Sequence, residues 1–175
     1  MFVKQEFDNK NLYIRRLCLG AGLLAVALLQ NTVGFLPSFF GIRAMPLIPA
    51  VVCAAMFERE LPGMFFGVFA GLLWDSASPT GGNFYAVILT VIAFACGALI
   101  THVMRNNFLT AILLSGGALF AAESCCFVRD MVIGGHLDAA YKILTFYIPS
   151  GVYSLVFLPV LYFPIRALEK RFADR

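Results

Sequence analysis

The chain has 175 residues, of which 61% are hydrophobic and 13% charged, and its mean hydropathy is +0.85. A soluble globular domain carries about a quarter charged residues. This composition excludes a soluble catalytic domain and predicts one integral membrane domain, because nearly every residue is needed to cross or flank the bilayer. The net charge of +3 is explained by positive residues that hold topology and meet anionic headgroups, so the bilayer is an expected partner and nucleic acid is not.

Residues 1–16 are polar and mildly basic and read as a cytoplasmic N-terminal segment. The apolar run that follows, 17–40, is too long for the core of a cleaved signal peptide and is expected to stay as an uncleaved anchor. Further apolar runs fall at 44–57, 61–74, 84–104, 108–128 and 143–165, giving an all-α membrane domain of six segments over 17–165. A helix needs about 20 residues to cross the hydrocarbon core, so 44–57 and 61–74 are short. They are either two abbreviated spans or a re-entrant hairpin turning at Glu58, Arg59 and Glu60. Residues 166–175 form a basic cytoplasmic tail.

Lys and Arg placement orients this layout. With the N-terminus inside, the cytoplasmic segments hold Lys4, Lys10, Arg15, Arg16, Arg59, Arg105, Arg166, Lys170, Arg171 and Arg175, and the external loops hold only Arg43, Arg129 and Lys142. That bias predicts both termini in the cytoplasm, whichever way 44–74 crosses.

Gly63, Gly67 and Gly71 recur every fourth residue, forming a smooth, slowly drifting groove along one side of a helix. Close packing within the protein is the first reading of this groove and a partner's helix the second. Asp75 continues the spacing and precedes a Ser/Pro/Gly loop of good turn chemistry. In the predicted topology Gln30, Asn31, Asp75 and Glu123 all lie toward the outer side, where buried carboxylates must be paired, protonated or solvated. With Tyr147, Ser150 and Ser154 they either line an external polar pocket or act as hydrogen-bonding contacts between helices, the commoner role of such groups. Trp74 is expected as an interfacial anchor.

Chemistry-bearing patterns are otherwise sparse. Cys18, Cys53, Cys96, Cys125 and Cys126 show no paired spacing and read as small hydrophobes. His102 and His136 are isolated, and neither a GxSxG nor an HExxH motif occurs, so no enzyme, metal or cofactor is expected.

The segment Gly71-Leu72-Leu73-Trp74-Asp75, followed by Gly82 opening the next apolar run, resembles the signature region of the rod shape-determining protein MreD family. The resemblance rests on Gly71, Leu72, Leu73, Asp75 and Gly82; Trp74 and the charged turn at Glu58 to Glu60 depart from it. It implies a non-enzymatic membrane scaffold of the bacterial elongation machinery, binding MreC and, through it, MreB, a polymerase of the shape, elongation, division and sporulation class, and a penicillin-binding transpeptidase. It also implies a multi-pass protein of the bacterial cytoplasmic membrane. The alternative is a substrate-binding subunit of an energy-coupling factor vitamin transporter, whose six-helix fold the layout also resembles, with Ala21 and Ala25 as a docking pair.

Overall fold

The computed structural model describes residues 2–32, 45–58, 60–78, 82–104, 106–134 and 148–173, and among them all regular structure is helical. The described residues hold seven helices in chain order: α1 (Phe2–Asn31), α2 (Leu47–Phe57), α3 (Glu60–Ala77), α4 (Phe84–His102), α5 (Phe108–Gly134), α6 (Ile148–Val156) and α7 (Leu158–Ala173). Four stretches are long and apolar enough to cross a membrane: Leu12–Asn31, Phe84–His102, Phe108–Arg129 and the α6–α7 run Pro149–Glu169. Outward side chains are apolar too, with Leu17, Phe65, Val91, Phe120 and Val160 each more than 60% exposed. Lipid, rather than water, suits such a surface.

Three boundaries differ from the sequence expectation. Helix α1 begins at Phe2, so the polar N-terminal segment continues the first helix instead of preceding it. Helix α3 runs to Ala77, beyond the apolar run 61–74, with Asp75 in its last turn as expected. The sixth segment is two helices with a break at Phe157. The amide of Phe157 donates to Ser154 O in a tightened turn, and Pro159 has no N–H to continue the ladder.

The core is built around α2. Every residue from Leu47 to Met56 is buried, and the helix packs against α1, α3, α4, α5 and α7. Small residues at Ala50, Cys53, Ala54 and Ala55 let that many neighbours approach at once. Pro49 sits in the first turn, where a missing N–H is harmless. At its far end Phe57 and Phe108 pack on Tyr162, with ring centroids 5.6 and 5.3 Å away. Tyr162 is fully buried.

Contacts along the bundle set the direction of each helix. Arg15 of α1 meets Glu58 after α2, whereas Gln30 meets Leu47 at its start, so the two helices are antiparallel. Asp75 meets the start of α4 and Glu60 its end, at His102. Cys126, late in α5, reaches Tyr85, early in α4. Arg15, Glu58, Glu60, His102 and Asn106 therefore gather at one end of the bundle, and Gln30, Asp75, Tyr85 and Glu123 toward the other.

Close surround makes α2 intolerant of added volume. Ala55 is fully buried and lies where a Cβ on Gly63 would come within 3.3 Å of its Cα. Ala55→Leu is expected to destabilise the bundle by about 1 to 3 kcal/mol through overpacking. Unfolding titrations in mixed detergent micelles, with the exposed Val91→Leu as a near-neutral control, provide the measurement.

Candidate functional site

The Gly63 series divides between two neighbours. Four residues advance a helix by about 400°, so the line of glycines drifts by about 40° per step. Gly63 consequently faces Ala55 of α2, while Gly67 and Gly71 face α4. A Cβ on Gly67 would lie 2.6 Å from Leu89 O and 2.7 Å from Ala93 Cβ, and one on Gly71 would overlap the Ala86 backbone. The backbones of α3 and α4 are thus in direct contact, and this glycine face is covered by α4. On α4 the facing positions are Ala86, Thr90 and Ala93, with Gly97 a turn further on against Glu60 Cα. That complementary series of small residues was the sequence signal for the partner helix, and only the α3 half of it was singled out above.

Asp75 extends the same contact by hydrogen bonding. Its Oδ1 accepts the Tyr85 N–H at 3.2 Å and its Oδ2 the Ala86 N–H at 2.9 Å. These amides are in the first turn of α4, where four N–H groups lack helical acceptors. Asn83, the residue preceding the helix, supplies no side-chain cap. Asp75 therefore caps α4 from a different helix, and its charge sits at the positive end of the α4 dipole. Trp74 stacks on Tyr85 at 4.5 Å with the planes 7° apart. Instead of standing free at an interface it is 9% exposed, because the cap brings Tyr85 directly opposite. Leu72 is exposed, Leu73 packs on the core, and Gly82 is exposed with open space around it.

The other polar candidates form a second group around the start of α2. Gln30 Oε1 accepts the Leu47 N–H at 3.0 Å. Ser154 Oγ accepts the Met45 N–H at 2.8 Å and donates to Ser150 O at 2.7 Å. Ser150 and Ser154 are buried. Glu123 approaches the same helix one residue along, its Oε1 lying 3.5 Å from where a Cβ on Gly151 would be. That oxygen is buried without a hydrogen-bond partner. Arg129, the nearest cation in sequence, instead lies over the ring of Phe84 at 4.7 Å. Asn31 is exposed, and Tyr147 lies outside the described residues. Gln30, Ser150, Ser154 and Glu123 are thus brought together, with Gln30 and Ser154 engaged on backbone. Asp75 is committed to α4.

A third group was not anticipated. Glu58, in the turn after α2, accepts Arg15 Nη2 at 2.6 Å and Nε at 3.1 Å, and Arg16 Nε at 3.4 Å. Its side chain is 2% exposed. Asn106 Nδ2 donates to Met56 O at 3.2 Å, and His102 Nε2 lies 2.7 Å from Glu60 Oε1. No local sequence pattern signals it, because Arg15 and Glu58 lie 43 residues apart. No group of three His, Cys, Asp or Glu that could hold a metal occurs among the described residues. All five cysteines are free thiols.

The chain matches no family model, no curated protein and no solved structure.

Asp75→Ala leaves two amides at the start of α4 without their acceptor and is expected to destabilise by about 1 to 2 kcal/mol, as loss of a helix cap does. Gly71→Ala is expected to be worse, since the obstructing atoms are backbone. Gly82→Ala should be neutral within about 0.5 kcal/mol. The same micelle unfolding assay ranks the three.

A larger loss is expected from Glu58→Ala. Removing one partner from a buried ion pair costs about 3 to 5 kcal/mol when the remaining charge stays buried, and the half-exposed Arg16 pulls the expectation to the low end. Combining it with Arg15→Met and Arg16→Leu should recover part of the stability, read as a coupling energy between the Glu58 change and the paired arginine changes.

Proposed function

We propose that this chain is a non-enzymatic membrane scaffold of the bacterial elongation machinery, acting as rod shape-determining proteins of the MreD family do. The observation that carries the reading is the α3–α4 hairpin. Its motif residues Gly71, Leu72, Leu73, Asp75 and Gly82 are those of the family signature, and Gly71 and Asp75 have defined physical work within it: backbone contact with Ala86, and the cap on α4. A scaffold needs a rigid bundle, and Gln30, Ser154 and Asn106 hold the backbone at the two ends of α2.

In this reading the protein is a multi-pass component of the cytoplasmic membrane with six crossings, α6 and α7 together making the last. Antiparallel order from α1 to α5 supports that count, and the gathering of Arg15, Arg16, His102 and Asn106 at one end supports placing both termini in the cytoplasm. Its partners are MreC, a protein with one membrane span, and through it MreB filaments, the polymerase and the transpeptidase. The transporter alternative has less support, because Gln30 and Ser154, which would line its ligand pocket, are hydrogen-bonded to the α2 backbone.

Depletion in a rod-shaped native host is expected to round the cells, and the wild-type gene to restore them. Asp75→Ala should complement poorly at elevated temperature and Gly82→Ala fully. Unchanged shape on depletion, with a new vitamin requirement, overturns the scaffold in favour of transport.

A further inference from the structure

Between α1 and α7 the bundle leaves a groove that no side chain fills. Ala50 and Ala54 of α2 form its floor, Cys18 and Gly22 line one wall, Pro164 and Leu168 the other, and it encloses about 210 Å³. Its lining is mostly apolar. A Cβ built on Gly22 meets no atom within 4 Å, so the groove is open at this position. Helices α1 and α7 touch each other, so the recess is a slot between them, and its apolar floor suits an extended polymethylene chain.

One end of the groove runs into positive charge. Arg15 is three residues before Cys18 and seven before Gly22, on the same face of α1, with Arg16 beside it. On α7, Arg171 follows Leu168 by three residues and Pro164 by seven, again on the groove face. Glu58 and Glu169 lie among Arg15, Arg16 and Arg166, and the helical register places Arg171 at the same end. Four guanidinium groups against two carboxylates leave this end net positive. Each guanidinium has five N–H donors in a fixed fork; Glu58 takes two from Arg15 and one from Arg16. The Arg16 side chain is 42% exposed, so donors remain for another anion.

We propose that the groove is a binding site for an anionic phospholipid, one acyl chain lying over Ala50 and Ala54 and the phosphate received by Arg16 and Arg171. Basic recesses between membrane helices hold anionic headgroups by this combination of charge and apolar contact. The site does not depend on the cellular role proposed above.

Cys18 reports its occupancy, being an exposed thiol in the groove wall. In the full chain carrying Cys125→Ser, the rate of Cys18 alkylation by N-ethylmaleimide is followed in micelles. Phosphatidylglycerol or phosphatidylcholine with identical chains is then added. Phosphatidylglycerol is expected to slow alkylation several-fold at concentrations where phosphatidylcholine does not. Arg16→Gln and Arg171→Gln should each raise the phosphatidylglycerol needed roughly fivefold, the factor that about 1 kcal/mol per interfacial arginine gives. Arg16→Gln keeps the two Arg15 bonds to Glu58, and the comparison of the two lipids on the unaltered groove needs no variant at all. Equal protection by both lipids, or by neither, overturns the site. Protection by a single-span helical peptide but not by phosphatidylglycerol overturns it in favour of a protein partner.

Discussion

The constraint on which this fold depends is the satisfaction of a half-length helix at its two ends. Helix α2 has 11 residues, about 16 Å at 1.5 Å per residue, against a hydrocarbon thickness of about 30 Å. One or both of its termini must therefore sit where water cannot serve the free amides and carbonyls. Each such group left unsatisfied in hydrocarbon costs several kcal/mol. The bundle answers with side chains from elsewhere: Gln30 and Ser154 at the start, Asn106 at the end, and the Arg15, Arg16 and Glu58 cluster just beyond. Three other parts of the chain, α1, α6 and the stretch before α5, are thereby tied to α2, so the short helix specifies how the longer ones are arranged around it.

The α3–α4 hairpin solves the same problem differently. Lipid offers no hydrophobic drive for two helices to associate, so close contact and interhelical hydrogen bonds must supply it. Glycine removes the side chains that would hold the backbones apart, and Asp75 converts the approach into two charge-assisted bonds. The two devices reinforce each other. The carboxylate reaches the α4 amides only because Gly71, one turn earlier, lets Ala86 come so near.

Much of this was legible in the sequence. The positions of the apolar runs follow from hydropathy, and the spacing of Gly67, Gly71 and Asp75 identifies a face that meets another helix. What the sequence does not contain is the identity of each partner. Gln30, Ser154 and Asp75 are all polar groups toward one side of the membrane, and as a list they look like the lining of a single pocket. Their actual grouping follows from where α2 and α4 begin, a fact of three-dimensional arrangement. The pairing of Arg15 with Glu58 spans 43 residues, and no local pattern connects the two. Trp74 misleads for a related reason: its position at a helix end resembles an interfacial anchor until the cap sets Tyr85 against it.

The break at Phe157 separates a piece that holds the start of α2 from a piece that packs on α2 toward its far end. Ser154, on the short α6, holds the Met45 amide across a separation of 109 residues. During synthesis at roughly 5 to 20 residues per second, that partner arrives some 5 to 20 s after the amide has left the ribosome. Until then the start of α2 must remain in the headgroup region, in contact with water, or be sheltered by another protein. A span made much later is thus the one that allows the second helix to take its final depth, and the bundle closes in an order set by chain position.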